Sequence, residues 1–115
     1  MPENGRKGED LAVKYLEDKG IKIIFRNFRY RGGEIDIIAQ ENETLVFIEV
    51  KTWSKFGIEA LEYGINSKKQ QRIIKTAKYF LLDYRKYRYM AVRFDVIFVT
   101  PQGITHLASA FTERV

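Results

Sequence analysis

Residues 45–48, Leu-Val-Phe-Ile, are apolar at four consecutive positions, and a strand with one face in water does not read that way. Side chains alternate between the two faces of a strand, so a run apolar on both faces belongs to a strand covered above and below. Residues 96–99, Val-Ile-Phe-Val, repeat the pattern. Two doubly covered strands demand a layered fold with other elements on both sides of a sheet.

The flanking segments supply those layers. Residues 8–19 read as a helix, because Leu11, Ala12, Tyr15 and Leu16 recur at helical spacing and Gly20 offers a stop. Residues 21–30, 34–40 and 44–52 read as three antiparallel strands separated by Arg31-Gly32-Gly33 and Glu41-Asn42-Glu43, both natural hairpin turns. Residues 53–65 carry two glycines and no steady period, which suggests a loop or a short irregular helix. Asn66 or Ser67 can cap a helix running to about residue 84, with Ile73, Ile74, Ala77, Phe80 and Leu81 as its inner stripe. A strand over residues 92–100, ended by Pro101-Gln102-Gly103, and an edge strand over residues 104–109 close the chain. A helix between two buried strands is the crossover of a parallel pair. The expected architecture is therefore α/β, in the order α-β-β-β-α-β-β, with a mixed central sheet flanked by helices. With 115 residues, 45% of them apolar, a single domain over residues 1–115 is expected.

Composition then limits the chemistry. There is no cysteine and only one histidine, His106, so thiolate nucleophiles, zinc–thiolate sites and paired-imidazole metal sites are excluded. Catalysis must rest on carboxylates, lysine, hydroxyls or a hard metal ion. Apolar runs reach only about four residues, against roughly 20 for a bilayer span. The charged N-terminus is followed by a mixed stretch rather than an apolar one, so no secretory signal is read and a cytoplasmic location is expected.

Twenty Lys and Arg against fifteen Asp and Glu give a net charge of +5, unevenly spread. Residues 67–93 hold nine basic residues and one acid, Asp83. Phe25-Arg26-Asn27-Phe28-Arg29-Tyr30-Arg31 interleaves cations with aromatics, and Tyr84-Arg85-Lys86-Tyr87-Arg88-Tyr89 repeats that texture. Cations suit phosphates and flat rings suit unpaired bases, so nucleic acid is the expected partner ahead of an acidic protein. The same stretches also read as core aromatics with solvated cations between them.

Acidic residues inside otherwise apolar strands carry the sharpest signal. Asp36 interrupts Ile35-Asp36-Ile37-Ile38, and Glu49 and Lys51 stand two apart in the third strand, on one face of the sheet. Hairpin pairing would bring Asp36 alongside them. Two carboxylates and a lysine at a strand end suit Mg²⁺ or Mn²⁺ together with a substrate phosphate. They also read as a buried ion pair that fixes register. Glu9 falls on or beside the apolar stripe of the first helix, an unexpected place for a carboxylate.

Gly33-Glu34-Ile35-Asp36-Ile37-Ile38-Ala39 followed by Val46-Phe47-Ile48-Glu49-Val50-Lys51-Thr52 resembles the PD-(D/E)xK nuclease superfamily, and more closely the archaeal Holliday-junction resolvases. The nearest resemblance is to the small bacterial YraN family, to which Gly8-Glu9, Asn27-Phe28-Arg29, Ser67-Lys68-Lys69-Gln70, Arg93-Phe94-Asp95-Val96 and Ala110-Phe111 are also similar. One departure is Ile35 standing where a proline often precedes the aspartate. The resemblance implies a restriction-endonuclease-like fold and a metal-dependent nuclease acting on DNA, including branched or Holliday-junction-like structures. It implies Asp36, Glu49 and the Val50 carbonyl as ligands of Mg²⁺ or Mn²⁺, Lys51 as the catalytic lysine, and Glu9 as an extra acid holding a second metal or a water. Nucleic-acid contacts are expected from Arg26, Arg29, Arg31, Lys68, Lys69, Gln70 and Arg72, with Lys69 and Gln70 in reach of a scissile phosphate or simply on a solvated helix face. A resolvase acts on two strands related by a two-fold axis, which implies a homodimer; Phe56, Ile58 and Leu61 would then form an interface, a lid or a packed loop. Asp95 is expected to pair with Arg93, Glu34 to be a surface or pairing residue, and His106 to lie on the surface. The rival reading is a noncatalytic nucleic-acid-binding module that keeps the same fold.

Overall fold

A computed structural model describes residues 2–52 and 65–113, with backbone alone for residues 2–6. The expectations for residues 53–64, including Phe56, Ile58 and Leu61, lie outside the described residues. The elements are α1 (Pro2–Asp18), β1 (Lys22–Tyr30), β2 (Gly33–Glu41), β3 (Thr44–Thr52), α2 (Ser67–Asp83), a 3-10 turn (Arg85–Tyr87), β4 (Ala91–Thr100) and β5 (Gly103–Phe111). The five strands form one sheet in sequence order, antiparallel throughout except for the parallel pair β3/β4. This is the mixed α/β sheet that the doubly apolar strands require.

The two buried runs take the central positions. Leu45, Val46, Phe47 and Ile48 are all buried, as are Val96, Ile97, Phe98 and Val99. Alternation sends their side chains into two separate cores. On one face Val46, Ile48, Ile97 and Val99 meet Ala12 and Leu16 of α1; on the other Leu45, Phe47, Val96 and Phe98 meet Ile73, Ala77 and Phe80 of α2. Burying a large apolar side chain contributes roughly 1.5–3 kcal/mol, so these two layers supply most of the drive for the helices to dock.

Helix α1 begins six residues earlier than its apolar spacing suggests, at Pro2. Proline is favoured in a first helical turn, where its missing N–H costs nothing. The stop is as expected: Gly20 adopts φ 81°, and the N–H of Ile21 donates to Leu16 O at 3.0 Å, a left-handed cap that glycine takes without strain. At the other end α2 starts on Asn66, whose side chain accepts from the Lys69 N–H at 2.9 Å.

Two glycines let the helices sit close to the sheet beside the acidic residues. A Cβ on Gly8 of α1 would stand 2.1 Å from Thr52 Oγ1 at the end of β3, and one on Gly33 of β2 would stand 2.0 Å from Thr76 Oγ1 of α2. No side chain fits at either point.

Candidate active site

The sheet changes character at Asp36. Pairing of β2 with β3 begins at Ile37↔Ile48, so Asp36 stands just where the two strands part. Ile35 packs on the α2 side and Ile37 on the α1 side, although residues two apart in a regular strand share a face. The break is matched in β1 by Asn27, which sits at φ 56° between Arg26 and Phe28. With β3 no longer paired by backbone at this point, the Asp36 carboxylate takes over: its Oδ2 accepts the Val50 N–H at 2.8 Å.

Glu49 is buried and faces the N-terminus of α2. Its Oε2 lies 2.6 Å from Lys69 Nζ and 3.8 Å from Lys51 Nζ, and its charge acts on Asp36. Two carboxylates and two ammonium groups thus gather at one point, where β2 and β3 separate and α2 begins. The capped first turn of α2 holds Lys69 over the strand, so a residue distant in sequence joins the pair written into Glu49-Val50-Lys51.

Burial and proximity move the protons in this cluster. Asp36 is pushed up to about 8, by burial first and then by the Glu49 charge, with the Val50 N–H opposing. Burial also pushes the Lys51 ammonium down, helped by the neighbouring Lys69 and opposed by Glu49 and Asp36. Burial works against the charge on Lys69 too, but Glu49 more than offsets it and holds that lysine above its ordinary value. The site therefore holds one lysine whose ammonium is pushed down and one whose ammonium is held up.

Glu9 reaches the same region from α1. Its carboxyl is raised by burial and countered by a hydrogen bond from Asn27 and by Arg26, and its charge is felt at Asp36. Asn27 carries no chemistry in the sequence reading, yet it supports Glu9 and marks the strand break. The signal available was an asparagine inside a strand, since Asn tolerates left-handed backbone better than most residues.

The expected nucleic-acid contacts divide. Arg26 is committed to α1, with an amine 2.7 Å from Asp10 and 3.7 Å from Glu9, and its Nε is buried without a partner among the described residues. Arg29 pairs with Glu34 at 3.0 Å on the surface. Arg31 lies at the hairpin tip with its guanidinium 5.6 Å from the Tyr30 ring. Lys68 and Arg72 are exposed on α2, whereas Gln70 turns back to the Ile65 carbonyl at 3.4 Å. Asp95 does pair with Arg93, at 2.9 and 3.0 Å. His106 is not a surface residue: its side chain is only 11% exposed and its Nε2 lies 2.7 Å from Asp95 Oδ2. The edge strand β5 is screened there by Tyr15 of α1, whose hydroxyl meets His106 Nδ1 at 3.0 Å.

Hard oxygen donors are what this cluster offers a metal. Among the described residues no three His, Cys, Asp or Glu side chains converge as a ready cage. Two carboxylates nevertheless fit Mg²⁺ or Mn²⁺, which keep several waters and bind through one or two carboxylates plus substrate phosphate.

Sheet order, crossover and flanking helices place the chain among α/β proteins of restriction-endonuclease-like architecture. The family described as Uncharacterised protein family UPF0102 matches residues 8–99, and the chain belongs to it; this is the YraN-like family that its motifs resemble. It is 46% identical over 107 residues to a UPF0102 protein of Persephonella marina, covering 93% of this chain and 91% of the relative. A UPF0102 protein of Caldicellulosiruptor bescii is 48% identical over 108 residues, covering 90% and 87%. One from Saccharophagus degradans is 36% identical over 110 residues, covering 96% and 93%.

Proposed function

We propose that this protein is a metal-dependent nuclease that hydrolyses phosphodiester bonds in DNA, with branched or Holliday-junction-like structures among its candidate substrates. The observation that carries this reading is the meeting of Asp36, Glu49, Lys51 and Lys69 where β2 and β3 part, beneath the first turn of α2. Asp36, Glu49 and the Val50 carbonyl would hold Mg²⁺ or Mn²⁺, with Glu9 as an outer acid. When bound, the ion would supply Lewis-acid activation for attack on phosphorus.

The chain's own residues would do the rest. Lys51, whose proton is loosened by burial and by Lys69, orients the attacking water and takes its proton. Lys69 stays charged and faces the phosphate, where it offsets charge gathering on the phosphoryl oxygens. The N-terminus of α2, which carries Lys69 to the cluster and has no acid in its first turn, adds the positive end of its dipole. Water attacks phosphorus as Lys51 takes its proton, the bond to the 3′ oxygen breaks and that oxygen takes a proton from a solvent water, so the products carry 5′-phosphate and 3′-hydroxyl ends.

One feature favours a noncatalytic nucleic-acid-binding module instead: Glu49 already has two lysines as counter-ions, and among the described residues a third acid does not close on the pair. A titration with Mg²⁺ and Mn²⁺ followed by thermal unfolding separates the two. Stabilisation that disappears in Asp36→Asn supports the metal site; no stabilisation in either protein supports the module.

A further inference from the structure

The basic and aromatic run after α2 has no part in the cluster around Glu49. Helix α2 is 17 residues long, about 25 Å at 1.5 Å per residue. Its first turn carries Lys69 to Glu49, so residues 82–89 stand a full helix length from the candidate active site. Here large apolar and aromatic side chains face water: Tyr89 is 87% exposed, Leu82 71% and Tyr84 40%. Single exposed apolar residues are ordinary, but three within eight residues, interleaved with Arg85, Lys86 and Arg88, are a patch.

The backbone beneath the patch is fixed. Tyr84 N–H donates to Phe80 O at 2.8 Å, Tyr87 N–H to Tyr84 O at 3.1 Å, Arg88 N–H to Arg85 O at 3.2 Å and Met90 N–H to Tyr87 O at 3.1 Å. Tyr84 and Tyr87 each stack on Phe80, at 4.6 and 5.8 Å between centroids, which roots the segment in the core. Tyr89 projects from this base with the Arg88 guanidinium 4.7 Å from its ring. Several cations elsewhere are engaged with acids, Arg26 with Asp10, Arg29 with Glu34, Lys78 with Glu113, and Arg93 with Glu41 and Asp95, although Arg31, Lys68, Arg72 and Lys75 are in no ion pair among the described residues. Arg85, Lys86 and Arg88 enter no such pair among the described residues.

We infer that residues 82–89 form a second nucleic-acid contact, a stacking platform for unpaired nucleotides one helix length from the candidate active site. Three cations with no acidic partner among the described residues, beside an exposed ring on a preformed turn, match a single strand, whose phosphates take the charges and whose bases take the ring. An acidic side chain would use the cations, whereas a base also offers a flat face for the exposed ring. The platform needs no catalysis, and it would grip a strand at a distance from any bond being cut.

The test uses the full chain in EDTA, with fluorescein-labelled dT15 and a 25-base-pair duplex as probes and anisotropy as readout. Tyr89→Ala should weaken dT15 binding by about fivefold or more and duplex binding less, while Tyr89→Phe keeps the wild-type affinity. Replacing Arg85, Lys86 and Arg88 together by Gln should lower the slope of log affinity against log salt by about 2, from roughly 0.7 per cation. Far-UV circular dichroism checks that these surface variants remain folded. Unchanged dT15 binding in both variants overturns the platform, as does absence of dT15 binding at low salt. Displacement of dT15 by poly-glutamate as readily as by unlabelled dT15 overturns it too and assigns the surface to an acidic protein. Asp36→Asn should bind dT15 as wild type does, so loss of cleavage with intact platform binding counts against the nuclease reading alone.

Discussion

Lys69 shows how far a single side chain sets the behaviour of the cluster. Its ammonium lies 2.6 Å from Glu49 and competes with any divalent ion for that carboxylate. Lys69→Gln should therefore bind Mn²⁺ more tightly, by about fivefold for roughly 1 kcal/mol of relieved competition, as read by calorimetric titration, while cleavage falls. Unchanged or weaker binding would mean that Glu49 is not the ligand. Asp36 governs the pH response. Its folded value, about 8, lies above the ordinary 3.8, so its contribution to stability is full below about pH 4 and lost as pH rises through 8. Asp36→Asn removes that loss, and its gain over wild type in urea unfolding should be larger at pH 8.5 than at pH 5 by on the order of 1–3 kcal/mol. A metal ion that needs the ionised carboxyl should, by the same linkage, bind more tightly at pH 8.5 than at pH 6.

At the scale of elements, α2 carries Lys69 into place and Asn66 holds the turn that does so. Asn66→Ala removes the bond to the Lys69 N–H and should cost about 1 kcal/mol of stability. Fraying of that turn should also lower cleavage more than the stability loss accounts for, measured below the melting transition. The course of α2, its cap and its inner stripe were legible in the sequence, because helical spacing and cap chemistry are local. So were the doubly apolar β3 and β4, and from the crossover between them the mixed sheet. Asp36, Glu49 and Lys51 stood out because charge inside an apolar run is rare. What stayed hidden was nonlocal. The strand break at Asn27 and Asp36 depends on how three strands diverge, and the turning of Arg26 toward α1 depends on the helix laid across it. His106 read as a surface residue because nothing near it in sequence shows that Tyr15 and Asp95 enclose it.

Across the whole molecule, the buried Asp95 of β4 ties β4, β5 and α1 together on one face of the sheet. It accepts bonds from Arg93 and from the Ser109 N–H, and it meets His106, which in turn meets Tyr15 of α1. Burial opposes its charge, but His106, Arg93 and the Ser109 N–H more than compensate and hold the carboxyl below its ordinary value. Asp95→Ala leaves His106 without its acid and Arg93 with Glu41 alone, and should cost about 1–3 kcal/mol. We expect wild type to unfold in one cooperative step, as a single domain would, and Asp95→Ala to keep that single step at a lower urea midpoint. Two resolved transitions would show that the halves of the sheet fold separately.

The most direct measurement is cleavage of labelled duplex, flap, fork, four-way-junction and single-stranded DNA with Mg²⁺ and with Mn²⁺, run beside Lys51→Ala. The cluster at Asp36, Glu49 and Lys51 predicts metal-dependent cleavage of at least one of these substrates, abolished in Lys51→Ala while DNA binding persists. Cleavage that survives unchanged in Lys51→Ala, or no cleavage of any substrate by wild type with either metal, would contradict it.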